Sequence, residues 1–144
     1  MERAIKQARL CVNEPNRVSP MVGAVVVRPS GSVIGEAYRG ELKPGEHAEY
    51  TLLEQKLKNE TLAGSILYTT LEPCIKRNLP KLACAQHIFE RKIKHVVIGV
   101  LDPNPEICGK GERWLLDRGI AVTRFTPELQ LEIEEIQRYF NRLH

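Results

Sequence analysis

Three side chains that can bind a metal and one acidic side chain lie near predicted helix and strand ends. His47 and Glu49 lie where a helix is predicted to begin. Cys74 follows a predicted strand, and Cys84 lies near the start of the next helix. A neutral imidazole and two thiolates are a good donor set for Zn²⁺, and three protein ligands leave one tetrahedral position for water. The pattern therefore indicates a catalytic metal site rather than a structural one.

The spacing of His47 and Glu49 predicts different roles for the two side chains. Two residues apart at a helix start, their side chains point in different directions. We therefore expect His47 to bind the metal while Glu49 faces the water. The partial positive charge at a helix N-terminus favours thiolates, so we also expect the start of the following helix to help keep Cys84 deprotonated.

The hydrophobic pattern predicts the elements that position these residues. Helices are predicted over 2–13, 47–58, 81–92, 111–118 and 127–143, and strands over 22–28, 32–39, 65–71, 96–101 and 120–125. The first two strands are joined by a short turn and should form an antiparallel hairpin. The last three are separated by helices and should run parallel. The order predicts an α/β fold: a three-layer α/β/α sandwich with a five-stranded mixed sheet, built by residues 1–144 as one domain.

The C-terminal helix is predicted from its start signal and its periodicity. Thr126 is placed as an N-cap residue, and Pro127 follows in the first turn. An apolar stripe then repeats every three or four residues, which predicts packing against the sheet, with a subunit interface as the alternative. The stripe comprises Leu129, Ile133, Ile136, Phe140 and Leu143.

The composition excludes several classes of protein. The chain has 144 residues, of which 42% are hydrophobic and 27% charged, with a net charge of +3. Such a chain can build a core and is not disordered. Its apolar runs are too short to cross a membrane, and its first residues do not resemble a secretion signal, so we expect a cytoplasmic protein without a membrane partner. The small positive charge does not indicate a nucleic-acid partner, although it does not rule one out.

The cysteines are interpreted as reduced thiols or metal ligands, because nothing in the sequence indicates secretion. Cys74 and Cys84 belong to the proposed site, which leaves Cys11 and Cys108 outside it. We expect Cys11 to be a buried small residue on the first helix and Cys108 to be a free thiol in a loop. Other candidates for chemistry are more typical of packing or surface positions: His87, His95, Trp114 and Tyr139.

The order His47-Ala-Glu49, Pro73-Cys74 and Cys84 resembles the cytidine-deaminase-like zinc hydrolases. This resemblance implies a Zn²⁺ cofactor held by His47, Cys74 and Cys84. It further implies that Glu49 is the proton shuttle in a hydrolysis that releases ammonia from an aminated ring.

Longer segments are similar to the deaminase domain of the riboflavin-biosynthesis deaminase/reductase family. They are 19–27, 47–49, 70–74 and 102–105, followed by 109–111. The similarity implies a small aminopyrimidine nucleotide as substrate, contacts to it from Ala48, Asp102 and Asn104, and a homo-oligomer. By composition alone, residues 102–105 could instead be a structural turn. The reductase domain of that family is not recognised in these residues, so we expect any second activity to come from another chain.

Two departures from that family concern the substrate. Ser19 stands where the family has an asparagine, and the segment between the two cysteines is one residue longer and does not match. Lys76, Arg77 and Lys81 in this segment are candidates to bind a phosphate. Two alternatives therefore stay open: a deaminase of another nucleobase or nucleotide, including a base in tRNA or single-stranded DNA, and a catalytically silent zinc-folded module. Glu49 argues against the silent module because it is not a ligand.

Overall fold

The strands of the protein form one five-stranded mixed sheet in a computed structural model that describes residues 1–138. They are β1 (Gly23–Val27), β2 (Val33–Tyr38), β3 (Ile66–Leu71), β4 (His95–Val100) and β5 (Ala121–Arg124), in the spatial order β2-β1-β3-β4-β5. β1 pairs antiparallel with β2 and β3, while β3, β4 and β5 run parallel. The predicted hairpin, the parallel strands and the mixed sheet are confirmed.

Helices cover both faces of the sheet. They are α1 (Glu2–Arg9), α2 (Ala48–Tyr50), a π-helical segment (Thr51–Lys56), α3 (Cys84–Glu90), α4 (Lys110–Asp117) and α5 (Pro127–Ile136). Because side chains alternate along a strand, Val96 packs with Leu52, Ile88 and Leu115 on one face, whereas Val97 packs with residues of α1 and α5 on the other. The three-layer arrangement is therefore confirmed.

The predicted helix 47–58 is wrong in its second half, where the backbone is π-helical. The N–H of Leu57 donates to the carbonyl of Leu52, five residues back, at 2.9 Å. The Leu53 carbonyl, which an α-helix would offer to Leu57, accepts from the guanidinium of Arg91 instead. Arg91 also donates to the carbonyls of Leu57 and Glu60, at 2.8 and 2.7 Å. The guanidinium of Arg91 thus contacts the carbonyl groups that the wider turn leaves available.

Two other helices are shorter than predicted. α1 ends at Arg9, and the next two N–H groups bond three residues back, so Cys11 lies beyond the helix. The prediction that Cys11 is a helical buried residue is therefore wrong: it is half-buried, and its Sγ contacts the Val22 carbonyl at 3.5 Å. α3 begins at Cys84 because Ala83 has an extended backbone.

α5 begins as predicted, with Thr126 at the N-cap position and Pro127 following. Ile133 is buried, and Leu129 and Ile136 pack beside it against the face of the sheet that α1 also covers. Phe140, Leu143 and Tyr139 lie outside the described residues. Within residues 1–138, no helix combines the length and the apolar character needed to span a membrane.

Candidate metal centre and active site

Three elements bring the predicted metal ligands together. His47 is the N-cap residue of α2, Cys74 follows the end of β3, and Cys84 is the first residue of α3. The His47 Nδ1 lies 3.6 Å from the Cys74 Sγ and 3.4 Å from the Cys84 Sγ, and all three ligand atoms lie within 4.8 Å of one another. A tetrahedral Zn²⁺ with ordinary bond lengths holds a nitrogen and a sulfur ligand about 3.6 Å apart. The three side chains therefore fit a zinc ion with one further position open.

The two thiols differ in proton affinity. A hydrogen bond from the Cys84 thiol, together with His47, lowers the pKa of Cys74 to about 4. The same hydrogen bond raises the pKa of Cys84 well above its ordinary value, with burial and nearby Glu49 acting in the same direction. The expectation that the start of α3 favours the Cys84 thiolate stays a prediction for the metal-bound site. The N–H of Cys84 at that helix start points at the Cys74 sulfur, at 3.3 Å.

Glu49 is a buried carboxylate beside this centre. It lies on α2, its side chain is 4% exposed, and its Oε1 accepts a hydrogen bond from the Thr69 hydroxyl at 2.6 Å. A buried carboxylate that binds no metal needs such a partner. The hydroxyl of Thr69 on β3, which the sequence did not single out, therefore fixes one oxygen of the predicted proton shuttle.

A cavity of about 240 Å³ opens beside two of the three ligands, His47 and Cys74. Its walls include His47, Ala48, Glu49 and Cys74, and also Asp102 from the loop after β4. An adjoining cavity of about 370 Å³ shares Glu72, Cys74 and Asp102 with it and continues toward Lys76 and Lys110. The two cavities, which share these walls beside the metal centre, are together called the cleft.

The structure separates the two predicted contacts of the 102–105 loop. Asp102 lines both cavities, whereas Asn104 is not among the residues that line them. The Asn104 Oδ1 accepts from the N–H of Glu106 at 3.0 Å, and its own N–H donates to the Asp102 Oδ1 at 2.9 Å. The side chain of Asn104 thus shapes the turn that presents Asp102.

Glu72 holds this loop in place from the end of β3. Its Oε1 accepts from the N–H groups of Asp102 and Gly109, both at 3.0 Å, and its Oε2 accepts from the N–H of Glu112 at 2.9 Å. Gly109 and Glu112 belong to the start of α4, so this 6% exposed carboxylate caps that helix from another element. A Cβ at Gly111 would lie 2.2 Å from the Pro73 carbonyl, which explains the glycine at this close approach.

Two arginines in the cavity were also missed by sequence reasoning. Arg39 follows β2 and Arg17 lies in the loop before β1, and both line the cavity beside Glu49. Glu14 pairs with both, through its Oε1 with Arg39 at 3.2 Å and its Oε2 with Arg17 at 3.3 Å. The trio carries a net positive charge at the cavity wall. The sequence has an excess of basic residues, but that excess does not show which of them line a cavity.

The positions that depart from the resembling family have different surroundings. Ser19 has a buried hydroxyl without a hydrogen-bond partner in the described part of the chain. Lys76 lines the larger cavity beside Cys74, whereas Arg77 lies over the Tyr50 ring, 5.6 Å from its centre. Lys81 lines two further cavities, one of which is also lined by Lys76 and Arg77. Of the three candidate phosphate ligands, Lys76 is the one that also lines the larger cavity beside Cys74.

The remaining candidates lie outside the site. Cys108 is an exposed free thiol, as expected. His87 packs against Tyr50 and pairs with Glu54, and His95 contacts the Thr123 hydroxyl at 2.7 Å. Trp114 stacks edge-on with a neighbouring aromatic ring, with its centre 6.0 Å away.

The α/β fold, three ligands with an open fourth position and a buried glutamate beside them define the class of zinc-dependent hydrolytic deaminases. The sequence family described as the cytidine and deoxycytidylate deaminase zinc-binding region matches residues 1–100. The chain belongs to this family.

Relatives with named activities share most of this chain. The diaminohydroxyphosphoribosylamino-pyrimidine deaminase of Buchnera aphidicola subsp. Schizaphis graminum is 38% identical over 144 residues, covering 96% of this chain and 87% of that protein. The Schizosaccharomyces pombe protein of the same name is 37% identical over 125 residues, covering 85% of this chain and 30% of that protein. The chain therefore spans less than a third of the yeast relative.

A solved structure shows the same fold. The diaminohydroxyphosphoribosylaminopyrimidine deaminase/5-amino-6-(5-phosphoribosylamino)uracil reductase from Thermotoga maritima superposes with a TM-score of 0.82 at 37% identity. The match covers 97% of this chain and 38% of that one. The expected resemblance to this branch of the superfamily is confirmed.

Proposed function

We propose that this chain hydrolytically deaminates a diaminohydroxyphosphoribosylaminopyrimidine and releases ammonia. The observation that carries the proposal is the buried Glu49 carboxylate beside three ligands spaced for Zn²⁺. The substrate follows from the two relatives of that name, which are 38% and 37% identical to this chain. We further propose that residues 1–144 act as one deaminase domain.

Each residue of the site has a separate role in the proposed reaction. Zn²⁺, held by His47, Cys74 and Cys84, supplies a Lewis acid that lowers the pKa of water. Glu49 takes a proton from the attacking water and passes it to the ring nitrogen and the departing amine. The oxygen of water joins the ring carbon, the bond from that carbon to the amino nitrogen breaks, and ammonia leaves. Because Thr69 occupies the Glu49 Oε1, the Oε2 is the oxygen that moves the proton.

Charge in the cleft suits a phosphorylated substrate. Arg17 and Arg39 line the smaller cavity, and Lys76 and Lys110 line the larger one. We assign the ring to the smaller cavity, against Ala48 and Glu49, and a ribose hydroxyl to Asp102. Asn104 acts on the substrate through the turn that presents Asp102.

The test is a screen for ammonia release with the full-length zinc-loaded protein. Its substrates are the diaminopyrimidine ribotide, cytosine and adenine nucleotides, and guanine. We expect release from the ribotide, about one zinc per chain, and loss of at least about 100-fold in rate for Glu49→Ala with zinc retained. Absence of zinc, or full activity of Glu49→Ala, would contradict the proposal.

The same screen decides between substrates. Release from a cytosine or adenine nucleotide, with none from the ribotide, would replace the proposed substrate by another nucleotide. Deamination of tRNA or single-stranded DNA, with binding that weakens steeply as salt rises, would indicate a polymeric substrate. No release from any of these compounds by the zinc-loaded protein would favour the silent module.

We also propose that the chain forms a homo-oligomer. Val12 and Leu131 are 84% and 66% exposed, so an interface that covers them would remove from water apolar surface that a single chain leaves exposed. Light scattering at several protein concentrations tests it, and a single mass equal to that of one chain would contradict it.

A further inference from the structure

A hydrogen bond between two buried side chains joins Thr69 to Glu49 beside the metal centre. Thr69 lies on β3 and has no exposed surface, and Glu49 is 4% exposed. The distance of 2.6 Å from the Thr69 Oγ1 to the Glu49 Oε1 is typical of a hydroxyl donating to a carboxylate. Breaking this bond costs free energy, because Thr69 has no exposed surface at which water would replace Glu49 as the partner of its hydroxyl.

The Thr69 hydroxyl has a second acceptor within reach. Its Oγ1 lies 3.1 Å from the carbonyl of Leu71, two residues further along β3. A hydroxyl carries one proton and two lone pairs. The hydroxyl proton can therefore go to the Glu49 Oε1, and the shorter of the two distances, 2.6 Å against 3.1 Å, favours that acceptor. Thr69 thus holds one of the two oxygens of Glu49.

We propose that Thr69 is a positioning residue that holds the Glu49 Oε1 and thereby aims the Oε2 at the reacting water. This inference rests on the proposed deaminase function and adds a residue to its machinery. Thr69 does not line the cavities that border the metal centre, so it acts through Glu49 rather than on the substrate.

The neighbouring residue offers a matched control. Thr70 is also a threonine on β3 with no exposed surface, but its Oγ1 accepts from the Gly23 N–H at 3.1 Å and has no bond to Glu49. Thr70→Val and Thr69→Val each replace one buried hydroxyl by a methyl group on the same strand. A general loss of stability would lower the activity of both variants. Loss of Glu49 positioning would lower the activity of Thr69→Val and not that of Thr70→Val.

The first measurement is steady-state ammonia release by the zinc-loaded full-length protein. We expect Thr69→Val to lower kcat about tenfold with KM changed less than about twofold, since a misaimed base slows the chemical step and leaves binding intact. Thr69→Ser, which keeps the hydroxyl, should stay within about threefold of the unmodified kcat, and Thr70→Val within about twofold. An unchanged kcat for Thr69→Val, or equal losses for the two valine variants, would overturn the proposal. If Thr69→Val does not fold, Thr69→Ala against Thr69→Ser gives the same comparison.

The second measurement does not depend on the substrate. Crystal structures of the unmodified protein and of Thr69→Val should show the Glu49 carboxylate in different side-chain orientations. The same orientation in both would overturn the positioning role, whatever the protein deaminates. Inactivity of the unmodified protein on every substrate would instead contradict the proposed function, so the two failures are distinguishable.

Discussion

Lys76 and Arg77 are adjacent cations with different surroundings. Lys76 lines the cleft beside Cys74 and Asp102, while Arg77 stacks on Tyr50. If the substrate carries a phosphate, Lys76 is placed to pair with it. We expect Lys76→Met to raise KM for the phosphorylated substrate about fivefold, equivalent to about 1 kcal/mol for an exposed ion pair. Steady-state kinetics of ammonia release measures this effect.

Arg77→Met provides the control for that variant because it removes the same charge from the next residue. It should leave KM within about twofold of the unmodified value. A dephosphorylated substrate should show no difference between the unmodified protein and Lys76→Met. Equal effects of the two variants would mean that the charge of the segment matters and not the contact from Lys76.

At the scale of single residues, the metal centre was predictable and its supporting residues were not. Coordination chemistry restricts the residue types at the positions of His47, Cys74 and Cys84, so the sequence alone reveals them. Thr69 and Glu72 are common residues whose importance comes from bonds to partners 20 to 40 positions away. A sequence pattern contains no signal for such pairs until the strand order is known.

At the scale of elements, Glu72 connects β3, the loop after β4 and α4. Glutamine has one acceptor oxygen, so Glu72→Gln cannot keep all three backbone N–H groups bonded and brings an amide donor against one of them. We expect this variant to lose about 3 kcal/mol of unfolding free energy. Because the N–H of Asp102 is among the three donors, KM should also rise. Urea unfolding, together with substrate kinetics, checks both effects.

Glu60→Gln is the control for Glu72→Gln. Glu60 pairs with Arg28 on the surface, where its side chain is 52% exposed, and its replacement should cost less than about 0.5 kcal/mol. If Glu72→Gln also lowered the unfolding free energy by less than about 0.5 kcal/mol, the cap would contribute little to stability.

Element types were predictable and several element ends were not. Apolar periodicity reports which residues of a segment are buried, and both the α-helical and the π-helical parts of 48–56 contain buried residues. Burial therefore does not distinguish the two helix types, and the contact of Arg91 with the Leu53 carbonyl comes from the end of α3. A contact across 38 residues leaves no trace in local periodicity.

At the scale of the whole molecule, the metal centre joins parts that are distant in sequence. Its ligands come from the starts of α2 and α3 and from the end of β3, so a bound ion links two helices to the sheet. A ligand that binds only the folded chain, and not the unfolded one, stabilises the fold by mass action. The stabilisation is about 4 kcal/mol when the free ligand concentration is a thousand times its Kd. We therefore expect removal of zinc by a chelator to lower the unfolding temperature by about 10 °C or more, measured by calorimetry.

Two cysteine variants separate this effect from general loss of stability. Cys74→Ser should retain little zinc and unfold at the temperature of the chelated protein, with no further change when chelator is added. Cys108→Ser alters an exposed thiol outside the site and should behave as the unmodified protein in both states. Zn²⁺ should restore the chelated protein whereas Mg²⁺ should not, because Mg²⁺ prefers oxygen ligands and the site offers nitrogen and sulfur. An unfolding temperature that is independent of zinc would mean that the sheet and its helices hold the three ligands in place without the ion.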